Sequence, residues 1–378
     1  MNNEISTKNP LGEKPVNSLL YQFAVPSIIA MLVSSLYNIV DQFFIGRSVG
    51  ALGNAATNIS FPLSISCVAI ALLFGIGGAS AFNIAMGMGE KENAVNYLAN
   101  SAAMLFLGGV ALTAVTLIFL EPLLKFFGSP DNVLEYAKVY TRIVALGFPF
   151  LIFTSGGGHL IRADGRPKIS MVCNLAGALI NTVLDALFVF VLNMGMAGAA
   201  YATIIGQIVS GLMAAWYLAH CRTVKIKKEN LRVRWKYISR VMSLGTAPCA
   251  NQLAMMVVQI VMNKSLKYYG SLSVYGESIP IACAGIITKV NQVFMSFIIG
   301  ISQGLQPITS FNYGAGRYGR VRSAYRSAVA CGAVLAVIAF ILFQTIPHQI
   351  ISLFGTGSEE YYSCLLYTSP SPRDPKTS

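Results

Sequence analysis

The chain has 378 residues, 54% hydrophobic and 11% charged, with a formal net charge of +12. A soluble domain carries roughly 25% charged residues, so the composition excludes a soluble fold and sends the excess apolar surface to lipid. The basic residues sit in short loops between apolar stretches, which argues against nucleic acid as a partner and fits membrane orientation.

The N-terminal segment, 1–18, is polar and lacks the apolar core and cleavage site of a signal peptide. It is expected to stay in the cytoplasm. Apolar runs bounded by Gly, Pro or charge follow at about 19–45, 54–84, 94–120, 136–158, 168–192, 196–220, 238–263, 278–312 and 323–346. Each can cover a hydrocarbon core about 30 Å thick, so they predict an all-α polytopic protein with nine spans. With the N-terminus inside, cytoplasmic segments hold 18 Lys and Arg and outer loops four. That bias places the protein, multi-pass, in a plasma or inner membrane. The segment CRTVKIKKENLRVRWKYISR at 221–240 carries eight of these charges and reads as a basic linker, a hinge between two halves lying against anionic headgroups. Seven cysteines without a CxxC pair read as packing residues.

The halves repeat. Pro26 precedes Asp41 by fifteen residues, as Pro248 precedes Asn263. Gly77, Gly87 and Gly89 recur 227 positions on as Gly304, Gly314 and Gly316, and LLKFFGS at 123–129 recurs as IISLFGT at 350–356. A unit of six spans, an even number, re-enters the membrane in the same sense, so the copies are expected to be related by a pseudo-two-fold axis along the membrane normal. The predicted organisation is a first lobe at 19–220, the linker, and a partial second lobe at 241–365. Three further spans are expected where the repeat breaks off, and 366–378 reads as a non-native tail.

Of fifteen acidic residues only Asp41, in the first span, and Asp185, in the fifth, fall within spans. Charge in that position costs ~2.5–3.5 kcal/mol on the insertion scale and marks ion pathways. Both spans run outward, and the two carboxylates differ in depth by only ~5 Å at 1.5 Å rise per residue. Asn174, Asn181 and Asp185 share one helix face through spacings of seven and four. Such an oxygen-rich stripe suits a dehydrated sodium ion; alternatively, two close carboxylates hold a proton, or an Asp pairs structurally with Arg142. Lys289 and Arg142 are candidates for substrate contact or, equally, for pairing with carbonyls. Pro26 is expected to kink the first span. No nucleotide-binding loop, zinc-protease motif or nucleophile elbow occurs, so neither an enzyme nor a nucleotide-driven pump is expected, and no cofactor beyond a coupling Na+ or H+.

The strings AVPSIIAMLVSSLYNIVDQFFIGRSVG, GHLIRADGRPKISM, NLAGALINTVLDALFV and GISQGLQPITSFNYGAGRYGRVRSA resemble the multidrug and toxic compound extrusion (MATE) family over about 15–363. The resemblance implies two six-helix bundles, the second incomplete here. It also implies export of small amphiphilic, cationic drugs by alternating access, in exchange for sodium or protons. Under it Asp41, Asn181, Asp185 and Thr203 would bind the cation, and Tyr37 and Tyr140 would line the cavity. The seventh span, APCANQLAMMVVQIVMNK, has no acid, so coupling is expected in the first lobe. A flippase for lipid-linked saccharides, from the same superfamily, is the alternative. Membrane lipids and a small-molecule substrate are the expected partners.

Overall fold

The computed structural model describes residues 9–49, 51–129, 131–272 and 278–345. The IISLFGT block, the 366–378 tail and the side chains of Asn263 and Lys289 lie outside the described residues. Among those described, the regular structure is helical throughout, as hydrocarbon demands: every backbone N–H and C=O there has to bond within its own segment. The long helices are α1 (Val16–Val49), α2 (Ala51–Met88), α3 (Lys91–Ile118), α4 (Asp131–Ala145), α5 (Phe148–Ala163), α6 (Pro167–Asp185), α7 (Gly195–Ala219), α8 (Trp235–Ser271), α9 (Ser278–Gly314) and α10 (Tyr318–Thr345). Among the described residues α1, α2, α3, α6 with its extension, α7, α8 and α10 are each long and apolar enough to cross a membrane. The bent pair α4–α5 makes an eighth, and the expected span at 278–312 lies in the 37-residue α9.

The fourth expected span, 136–158, departs from a single rod. It breaks after Ala145, and α4 and α5 meet at 56°. The cause is Pro149, near the start of α5. Its ring lacks an N–H and crowds the carbonyl of Ala145. That carbonyl instead accepts from Thr113 Oγ1 of α3 at 2.7 Å. Helix α6 also changes character: at Asp185 it passes into a π-helical turn, Ala186–Val191.

Helix α9 lies along α1 and α2, and α8 lies along α2. The approach is backbone to backbone. A Cβ on Gly304 of α9 would lie 2.6 Å from the Ala24 amide nitrogen of α1, and its repeat partner Gly77 of α2 is closed in the same way by Val241 and Gly245 of α8. Without a hydrophobic force between helices in lipid, such small-residue crossings are where packing energy concentrates. Gln306 of α9 donates to Ser80 Oγ at 3.0 Å and to the Ile76 carbonyl at 3.1 Å, and Ser35 and Ser296 hydroxyls meet at 2.8 Å. Pro26 is buried in this contact, and α1 runs through it without interruption.

The basic segment expected as a hinge between the halves is bonded to α3. Asn230 Nδ2 donates to Asn96 Oδ1 at 2.9 Å, the Arg234 amide donates to Asn100 Oδ1 at 2.8 Å, and Tyr237 stacks edge-on against Tyr97. Movement of the linker therefore has to carry the end of α3. At the N-terminus a short helical turn, Pro10–Glu13, is capped by Asn9. It is tied to α9 and α10 through Asn312, Arg317 and Arg320, which donate to the Leu11, Gly12 and Lys14 carbonyls. The cysteines divide: Cys67, Cys173 and Cys221 are buried as packing residues, whereas Cys331 is exposed.

Candidate cation and cavity site

Helices α6 and α7 cross where Gly177 meets Gly206. A Cβ on Gly206 would lie 2.7 Å from the Gly177 carbonyl oxygen, so only small residues permit the crossing. Ser210 Oγ reinforces it by donating to the Cys173 carbonyl at 2.8 Å. The close approach brings Asn181 of α6 to Thr203 of α7, Nδ2 to Oγ1 at 3.4 Å. A cavity of about 90 Å³ opens beside them. It is lined by Ser34 and Tyr37 of α1, Thr154 and Ser155 of α5, Asn174 and Asn181 of α6, and Thr203 and Gln207 of α7.

One turn beyond Asn181, Asp185 is wholly buried, and one turn beyond Tyr37 lies Asp41. The two carboxyl groups are near enough to interact directly, and the phenols of Tyr37 and Tyr140 stand within the field of both. Among the described residues neither oxygen of Asp185 has a hydrogen-bond donor, nor has Oδ1 of Asp41 or Oδ1 of Asn181. Buried oxygens without donors are costly. Four of them on neighbouring turns of two helices form a set that a cation or a proton would satisfy. The π turn begins at Asp185, with the Leu192 amide donating to the Leu187 carbonyl at 3.0 Å; such turns are frequent at functional positions.

Asp41, Asp185, Tyr37 and Tyr140 thus come together, with Asn181, Thr203 and Asn174 along the adjoining cavity. Arg142 is exposed and makes no ion pair among the described residues, so the structural pair with an Asp is not formed. Fifteen residues of helix, about 22 Å, separate Pro26 from Asp41. Gln207, Ser34, Thr154 and Ser155 were not singled out in the sequence. Their positions on three different helices left no common spacing to find.

A bundle of membrane-spanning helices that brings two acids together in its interior has the organisation of a multi-pass transporter. The MatE family profile matches residues 26–187 and 249–368, and the chain belongs to that family. The two segments begin at Pro26 and at the residue after Pro248, the prolines that the internal repeat pairs. Among relatives, the multidrug export protein MepA of Staphylococcus aureus is 25% identical over 352 residues, 92% of this chain and 75% of that protein. MepA of Staphylococcus haemolyticus is 24% identical over 350 residues, with the same coverage. Two solved structures share the fold. An outward-facing multidrug resistance MATE family transporter of the MOP superfamily superposes with TM-score 0.87 at 23% identity, covering 96% of this chain and 80% of that one. A MOP superfamily transporter from Pyrococcus furiosus gives 0.86 at 23% identity, covering 96% and 79%.

Proposed function

We propose that the chain exports small amphiphilic, cationic molecules in exchange for Na+ or H+, with its N-terminus in the cytoplasm. The observation that carries this reading is the set of buried oxygens without donors at Asp41, Asn181 and Asp185. In this reading Asp41 and Asp185 supply charge to the coupling cation, the Asn181 amide and Thr203 hydroxyl complete an oxygen shell of the kind that hard cations take, and Tyr37 and Asn174 face the cavity, while Tyr140, expected there, stands beside the carboxyl pair and not in the cavity lining.

Two carboxylates side by side in a poorly solvated site repel each other. A cation arriving from outside removes that repulsion and stabilises an arrangement in which α1 shifts against α6. Loss of the cation to the cytoplasm restores it. Substrate and cation then need only a coupling of ~1–3 kcal/mol through the shared conformational equilibrium to drive exchange. The domain reading follows: the first six spans form one lobe, the later helices belong to the other, and the small-residue contacts of α9 with α1 and α2 and of α8 with α2 close the end that bears the N-terminus. Support for a state open on the opposite side comes from the outward-facing relative that it superposes on.

The test is competition. A fluorescent organic cation bound to the purified protein should be displaced by millimolar Na+ or by acidification. Displacement by neither, with dye binding intact, overturns the antiport reading.

A further inference from the structure

A second concavity lies on the outer surface of the bundle, between the ends of α6 and α7 that face the basic linker. It is an apolar groove of about 510 Å³, lined by Ile169, Val172, Leu212, Met213, Trp216 and Tyr217. Alone, such a groove selects nothing, because lipid tails are as apolar as its walls. Its mouth differs. Lys168, next to Ile169, is exposed, as are His220 and Arg222 beyond Tyr217, and Arg166 stands within electrostatic reach of Tyr217. The nearest acid, Asp164, is buried and already committed: it accepts from Tyr217 Oη at 2.6 Å and from the amides of Arg222 and Thr223 at 3.2 Å. Those bonds hold the turn before α6 against the start of the linker, so the chain positions of Arg166, Lys168 and Arg222 come to the same end of the groove.

We propose that this is a binding site for one anionic glycerophospholipid, an acyl chain lying in the groove along α6 and α7 and the phosphate held by Lys168, Arg222 and Arg166. The chain supplies fit, and the basic mouth supplies selection, because each Lys or Arg near the surface attracts an acidic headgroup. Since the mouth includes the first residues of the linker between α7 and α8, occupancy would brace the linker against the first lobe. The site is separate from the buried acids and stands whether or not those couple transport.

The two tryptophans, Trp216 in the groove and Trp235 in the linker, make the test direct. Trp235→Phe leaves Trp216 as the sole indole. This protein is reconstituted in phosphatidylcholine bilayers containing a small fraction of lipid brominated on its acyl chains, as phosphatidylglycerol or as phosphatidylcholine. Bromine quenching of Trp216 should favour phosphatidylglycerol on the order of fivefold or more, and Lys168→Gln/Arg222→Gln should remove the preference while leaving quenching by brominated phosphatidylcholine intact. Equal quenching by both lipids in the parent, or a preference that survives the double substitution, overturns the proposal.

Discussion

Gly87 of α2 and Gly314 of α9, partners in the internal repeat, face each other, the Phe311 carbonyl closing over Gly87 and the Ile84 carbonyl over Gly314. A residue meets its own repeat partner only at the symmetry axis, so the pseudo-two-fold passes close to this contact. Leucine at either position has no space to occupy. Overpacking of this kind costs ~1–3 kcal/mol, enough to shift a two-state equilibrium about tenfold. Gly87→Leu and Gly314→Leu should insert normally, yet label more readily with a membrane-impermeant thiol reagent applied to cysteines placed in the cavity from the N-terminal side. Wild-type labelling would show that the contact does not gate access.

Asn100 bonds the Asn230 carbonyl at 3.2 Å and the Arg234 amide at 2.8 Å. Because it is wholly buried, Asn100→Ala strands two backbone groups at ~1–3 kcal/mol each. The melting temperature in detergent should fall by several degrees, and protease cleavage within 221–234 should accelerate. An unchanged cleavage rate would mean that the linker is held by other contacts.

Thr203 donates to the Ala199 carbonyl at 3.0 Å and meets the Asn181 amide. Thr203→Val keeps the shape and removes the oxygen. Half-saturation for the coupling cation should rise on the order of tenfold, equivalent to ~1.4 kcal/mol, with substrate half-saturation little altered. A change in substrate affinity alone would assign the hydroxyl to substrate instead.

Glu121 bridges Lys125 at 2.7 Å and Lys138 at 2.8 Å, tying the short helix Leu120–Phe126 to α4. Hydrogen bonds from Lys125 and Lys138, with their charges, draw its carboxyl from 4.5 down to about 2. The sign follows: a depressed carboxylate contributes above its unfolded value, and that contribution is lost as pH falls through about 2. Amide protection across 120–126, corrected for intrinsic exchange, should therefore be equal at neutral pH and at about pH 5, above both values. Glu121→Gln should lower it at both, modestly because the pair is solvent-exposed. Protection falling between those two pH values in wild type would contradict the pairing.

The spans were legible because hydrophobic length alone determines them, and Asp41 and Asp185 stood out because acid in hydrocarbon is rare. Asn174, Asn181 and Asp185 share a face at helical spacing, and the cavity beside them follows that face. What spacing does not encode is the crossing partner. The Asn181–Thr203 contact depends on Gly177 meeting Gly206 across two helices, and the neighbourhood of Tyr37 and Tyr140 entered through family resemblance alone. The break at Ala145 was readable from Pro149 but was hidden by the continuous apolar run. The π turn after Asp185 left no signal in composition, and the pinned linker escaped notice because its partners, Asn96 and Asn100, lie well over a hundred residues earlier.

In the proposed function Asp41 and Asp185 form one coupling site. The most direct measurement is efflux of a cationic dye from proteoliposomes under an imposed sodium or proton gradient, comparing wild type with Asp41→Asn and Asp185→Asn. The substitutions keep size and remove charge. Each is expected to abolish gradient-driven export while dye binding persists within a few-fold, because differential binding of the cation, not of the dye, is what is lost. Export at the wild-type rate by both variants would contradict the account and leave the two carboxylates a structural role only.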